Sequence, residues 1–146
     1  MRIDILSNDT NLIFKYQDRS LQEFLKDFSD TLDHAQFREQ DIKFLEQEKT
    51  LVINLNRNLY EKMKRYFLWF KVWCAGKDPV QRSILSIRNI KSFEINGSFK
   101  NPQEVITIGG ININKDKIYI SSFCEKESSI EILLTVKGID ITLEDE

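Results

Sequence analysis

Arg65-Tyr66-Phe67-Leu68-Trp69-Phe70-Lys71-Val72-Trp73-Cys74 holds both tryptophans of the 146-residue chain and three further aromatics within eight positions. How this run folds decides the class of the protein. As a strand it places Tyr66, Leu68, Phe70 and Val72 on one face and Phe67, Trp69, Lys71 and Trp73 on the other. Such a strand is apolar on both sides, as in the middle of a covered sheet. As a helix from Leu59 it gathers Leu59, Met63, Tyr66, Phe67, Phe70, Trp73 and Cys74 into one stripe, with Asn58 and Glu61 resembling a capping box. Leu68 and Val72 then fall on the polar side, and aromatics favour pleated surfaces. The strand reading is favoured, and the helix stays open beside it.

Working outward, the flanking segments alternate with period two. On the N-terminal side, Leu51, Ile53 and Leu55 alternate with Val52, Asn54 and Asn56. Before them Phe37, Ile42 and Phe44 lead into the turn Glu46-Gln47-Glu48-Lys49, which predicts a hairpin with long arms. On the C-terminal side, Gly76-Lys77-Asp78-Pro79 supplies turn chemistry. Runs Ser83–Ile87 and Ile90–Ile95 follow, and Asn96-Gly97 is the sharpest hairpin signal in the chain. Val105–Asn114 contains Gly109-Gly110, which predicts a bulge or a close backbone approach. Asn114-Lys115-Asp116 turns into Lys117–Cys124. Ile130–Val136 and Ile139–Leu143 read as a last pair around Gly138, with Glu144-Asp145-Glu146 as a frayed tail.

The N-terminal end reads as a short hairpin, Arg2–Leu6 and Leu12–Tyr16 around a polar turn. Ser20 with Glu23 makes a capping box, and Leu21, Phe24, Leu25 and Phe28 follow at helical spacing. Ser29-Asp30-Thr31 ends that helix. These readings give one domain over residues 1–146: an α+β, mainly β fold. Its antiparallel, strongly curved sheet is a sandwich or an open barrel, with one short N-terminal helix on one side.

A chain of this length buries about two-thirds of its unfolded surface and needs no staple. Its 41% apolar and 30% charged content is that of a globular protein. No apolar run approaches a membrane span, and Asp4 and Asp9 interrupt any signal-peptide core, so the expectation is a cytoplasmic protein. Cys74 and Cys124 stand in no motif and read as reduced, buried thiols.

Net charge is −2 but unevenly spread. Residues 1–56 carry −4, residues 57–91 carry +7 and residues 92–146 carry −5. Lys62, Lys64, Arg65 and Lys71, interleaved with aromatics, are the candidates for a nucleic-acid contact. The alternative, that basic strands pair with acidic neighbours across a sheet, fits an acidic chain better. A small-ligand cavity lined by Tyr66, Phe67, Trp69, Phe70 and Trp73 is a further alternative.

Nothing supplies a nucleophile, a base and an orienting group in a recognisable set, and no cofactor or metal motif is present. His34 is the only histidine and has no second His or paired Cys beside it in sequence. A solvent-facing or hydrogen-bonded histidine at a helix-to-strand junction is expected. Two acidic trios, Asp27, Asp30 and Asp33, and Glu125, Glu127 and Glu131, are the candidate contacts for a basic protein partner.

Leu32-Asp33-His34-Ala35, the following hairpin through Leu51–Arg57, and the later stretch Ile84–Ile95 together resemble bacterial proteins of the immunity protein 50 type and related small β-rich families. The resemblance is best over residues 31–95. Asp33 precedes His34 here, where the family has the reverse order. The resemblance implies a β-rich fold and a non-enzymatic role, binding and neutralising a toxin by occluding it.

Overall fold

The structure is a computed structural model that describes residues 2–8, 11–14, 21–58, 80–99, 101–124 and 129–146, with backbone alone at 7–8, 11–14, 21–25, 27 and 58. The aromatic run Arg65–Cys74, including Tyr66, Phe67, Trp69, Phe70 and Trp73, lies outside the described residues.

Among the described residues eleven strands form one antiparallel sheet. They are β1 (Arg2–Asn8), β2 (Asn11–Phe14), β3 (Gln36–Phe37), β4 (Ile42–Leu45), β5 (Thr50–Asn58), β6 (Val80–Ile87), β7 (Ile90–Asn96), β8 (Ile106–Asn114), β9 (Lys117–Phe123), β10 (Ser129–Val136) and β11 (Asp140–Asp145). Among the described residues a single α-helix, α1 (Leu21–Leu32), and the 3-10 turn Glu39–Asp41 complete the fold. The strand order is β2-β1-β11-β6-β5-β3-β8-β9-β10-β7, with β4 also beside β5. The sheet is not closed, and among the described residues β2 and β7 are its ends.

Two short connections set a corner in the sheet. Strand β6 lies beside β11, and β7 lies beside β10. Only Arg88-Asn89 separates β6 from β7, and only Lys137–Ile139 separates β10 from β11. The two strands thus pass a corner together. Asn89 takes φ 60°, in the left-handed region that Asn tolerates. Arg88 N–H donates to Asp140 O at 2.9 Å, and Lys137 N–H donates to Asn89 O at 2.8 Å. A register shift at Thr135–Val136 supplies the local irregularity.

This corner corrects two expectations. Ile130–Val136 and Ile139–Leu143 do not pair with each other, because each continues into a different half of the sheet. Asn96-Gly97 is not a hairpin turn. Gly97 has φ 107°, and a Cβ there would stand 2.5 Å from Ser129 O, so glycine is needed where β7 ends against β10. Two local signals do hold. The β8–β9 register slips between Ile108 and Gly110, placing the bulge at the glycine pair. The N-terminal hairpin is present as β1–β2.

The inner face is a continuous layer of aliphatic side chains. Ile53, Leu85 and Leu143 form one cross-strand row, and Leu51, Ile87, Ile141 and Ile5 form the next; all seven are buried. In the other half Ile108, Ile111, Ile118, Ile120, Ile132 and Leu134 do the same. Each such side chain contributes about 1.5–3 kcal/mol by leaving water, and β-branched isoleucine suits a pleated surface.

Helix α1 runs to Leu32, beyond the expected stop at Ser29–Thr31. Leu32 and Phe28 are buried, so tertiary burial overrides the polar stop signal. His34 then takes φ 65°, the left-handed conformation that commonly closes a helix.

The frayed tail was a misreading of Asp145. Arg57 is 3% exposed, and its Nε donates to Ser83 Oγ at 2.9 Å while Nη2 donates to Asp145 Oδ1 at 2.8 Å. Ser83 Oγ donates to the same Asp145 oxygen at 2.7 Å. Burial alone pushes the Asp145 carboxyl up; the Ser83 hydrogen bond and then the Arg57 guanidinium outweigh it and hold the group below the usual carboxylate range. A buried arginine requires such a partner, and the last strand provides it.

Candidate interaction surface

The inner residues of β9 are Ile118, Ile120 and Ser122, so Lys117, Tyr119, Ser121 and Phe123 face outward. Neighbouring strands set what surrounds them. Tyr119 lies between Asn112 of β8 and Leu133 of β10, and Glu94 of β7 stands beyond Leu133. Ser121 lies between Gly110 and Glu131, with Asn96 beyond. Phe123 lies between Thr107 and Ser129. Tyr119 is 40% exposed and Phe123 47% exposed, while Leu133 is half-buried among them.

Phe123 has a structural reason to be aromatic. Its ring carbons lie 3.6 Å from where a Cβ would stand on Gly109, so it covers the bulge. The bulge itself is anchored from the helix side. Ile111 N–H donates to Ser29 Oγ at 3.3 Å, and Ile108 exchanges hydrogen bonds of 2.8 Å with His34 N–H and Ala35 O. The face therefore rests on a fixed frame, with two aromatic side chains and one leucine set in a surround of Ser, Asn, Thr and Glu.

Among the acidic candidates whose side chains are described, Glu131 is the one on this face. It is exposed on β10, one row from Tyr119 and one from Phe123. Asp30 is exposed on α1, one turn after Asp27, whose side chain lies outside the described residues. Asp33 stands past the helix end, with its Oδ1 3.1 Å from Nδ1 of His34, so its charge faces the imidazole beside it. His34 is thus the exposed, hydrogen-bonded junction residue that the sequence leads one to expect. Glu125 and Glu127 lie outside the described residues.

Tyr119 and Phe123 were missed in sequence. The signal was present in Lys117-Ile118-Tyr119-Ile120-Ser121-Ser122-Phe123, where both aromatics fall in the phase opposite to the isoleucines.

The basic block behaves as cross-strand pairing predicts, where it is described. Arg57 pairs with Asp145, Arg88 Nη1 lies 3.1 Å from Asp140 Oδ1, and Arg82 Nε lies 3.6 Å from Glu146 Oε2. Lys62, Lys64, Arg65 and Lys71 lie outside the described residues. Ser83 is buried beneath the Arg57–Asp145 pair, so its hydroxyl serves that cluster and is not reached from solvent. Cys124 is a buried free thiol. Among the described residues no group of three or more His, Cys, Asp or Glu is placed to hold a metal ion, and no helix is long and apolar enough to cross a membrane.

Compared with family models, with curated proteins and with solved structures, the chain matches none.

Proposed function

We propose that this protein is a non-catalytic, cytoplasmic binding module of the immunity type, neutralising a bacterial toxin by covering it, and that the outward face of β9 is its contact surface. The observation that carries the reading is the pair Tyr119 and Phe123, both more than a third exposed on a sheet face that is otherwise polar apart from the half-buried Leu133. Exposed aromatics rimmed by polar groups are a common signature of protein contact, and tyrosine is enriched among the residues that dominate binding energy. Glu131 and Glu94 flank them. That arrangement suits a partner with a basic cleft, because complementary charge speeds encounter and rejects wrong partners.

The test is capture with the tagged full chain from the lysate of its own organism, at low and then high salt, read by mass spectrometry. One stoichiometric protein should survive high salt. Its binding should be lost with Tyr119→Ala and Phe123→Ala and kept with Lys43→Ala, a substitution on the exposed part of β4. Mixed with the captured protein, the wild-type chain should abolish its toxic activity. A captured protein indifferent to both aromatic substitutions, or one with no activity to neutralise, overturns the reading.

A further inference from the structure

The sheet has several edges, and they are not treated alike. The edge of β8 beyond its pairing with β3 is covered by the end of α1, through Ser29, His34 and Ala35. Strand β2, at one end of the sheet, is four residues long. Strand β7, at the other end, is seven residues long and, among the described residues, pairs only with β10. On its far side Ile90 N–H donates to Lys49 O at 3.0 Å. Past that bond, no backbone partner is present for the far edge of Lys91–Ile95 among the described residues. Lys91, Ser92, Phe93 and Glu94 are all exposed. An extended, unpaired edge of this kind is a template for another strand.

We propose that β7 pairs antiparallel with β7 of a second copy of this chain, across a twofold axis at Phe93. A twofold perpendicular to the sheet sets residues equidistant from the axis opposite one another and keeps each on its own face. The stretch left free by the Lys49 bond is Lys91 to Asn96; side chains keep their faces only when the axis passes through a residue, and the two central residues are Phe93 and Glu94. The pairing sets Phe93 against Phe93, Ser92 against Glu94 of the second copy, and Lys91 against Ile95 of the second copy. Moving the axis to Glu94 sets two carboxylates face to face. Moving it to Ser92 sets Glu94 opposite Ile90, whose N–H is already engaged by Lys49 O. Phe93 is also braced within its own chain, its ring centroid 4.7 Å from that of Phe44 at a tilt of 43°. Aromatic and serine–carboxylate pairs across strands are favourable contacts. The same axis puts the Tyr119 faces of both copies on one side of a continuous sheet.

Five residues from each copy form a contact well below the roughly 1,600 Å² of a standard interface, so the association is weak and concentration-dependent. The test is sedimentation equilibrium of the full chain, from low micromolar to near-millimolar concentration. The mass should rise from that of one chain, 17.3 kDa, toward twice that value. Ser92 is exposed, so two substitutions there probe register without disturbing the core. Ser92→Lys faces Glu94 of the second copy and should lower the dissociation constant about tenfold, whereas Ser92→Glu should raise it by a similar factor. Circular dichroism should show both variants folded. A wild-type chain that stays monomeric at every concentration overturns the proposal. So does a dimer whose constant ignores both substitutions, or moves the same way with both, since its axis then lies elsewhere.

Discussion

The two halves of the sheet share an inner face and differ on the outer one. In the half built from β5, β6, β11 and β1, outward side chains complete one another. Arg88 Nη1 donates to Asp140 Oδ1 at 3.1 Å and to Thr142 Oγ1 at 2.9 Å; Thr142 Oγ1 donates to Asp4 Oδ1, and Arg2 Nε donates to Asp4, each at 3.2 Å. In the half built from β8, β9, β10 and β7, the corresponding positions hold Tyr119, Phe123, Leu133, Glu131 and Glu94. Both halves obey the same period-two rule for the core. The difference teaches that the inner phase of a strand encodes folding, while the outer phase is free to differ: in one half it is tied up in polar contacts within the chain, in the other it carries exposed aromatics.

The sharpest way to break this comparison is at the Arg57 cluster, which ties β5, β6 and β11 of the first half together. Arg57→Ala removes the guanidinium from the partly buried Asp145 carboxylate and should cost about 3–5 kcal/mol in urea denaturation. The pH dependence follows from the lowered carboxyl. Asp145 binds its proton less readily folded than unfolded, so its contribution is complete above the ordinary carboxylate range and is lost as pH falls through the lower folded value. Asp145→Asn should therefore flatten the acid limb of stability against pH.

In the second half the largest effect on stability should come from Gly97→Ala. The left-handed φ and the approach of Ser129 O together make a cost of about 2 kcal/mol. Tyr119→Ala should change stability by about 1 kcal/mol or less, because the side chain is already 40% exposed and lies outside the core, yet weaken the captured complex tenfold or more. Equal losses in both measurements would mean that the outer face of β9 belongs to the fold. The smallest effect belongs to Arg88→Ala. Its partly exposed pair with Asp140 should be worth less than about 1 kcal/mol and fade with salt, which thermal melts at two ionic strengths would read.

Much of the local structure was legible, because it is written in neighbouring residues. The β1–β2 hairpin, the helix from Leu21, the turns at Glu46–Lys49 and Lys115-Asp116, and the bulge at Gly109-Gly110 each follow from a few adjacent side chains. The corner was not legible. Asn96-Gly97 carries a strong local turn signal, but the positive φ of Gly97 serves packing against Ser129, a residue distant in sequence. Asp145 looked like a solvated tail residue because its partner Arg57 is 88 positions away. On the surface, Glu131 was picked for its charge alone. Tyr119 and Phe123 were overlooked because the denser aromatic run at Arg65–Cys74 drew the reading.

The place of β11 has a consequence in time. It lies between β1 and β6, so β1 cannot join the sheet until residues some 138 positions later have been made, as the Thr142–Asp4 hydrogen bond marks. Pairing at that separation is slow, because a long loop must close before any contact rewards it. During synthesis β1 and β6 wait with bare edges. The growing chain thus passes through a sticky interval that ends only when β11 emerges and slots between them, and chaperone dependence should be concentrated in that interval.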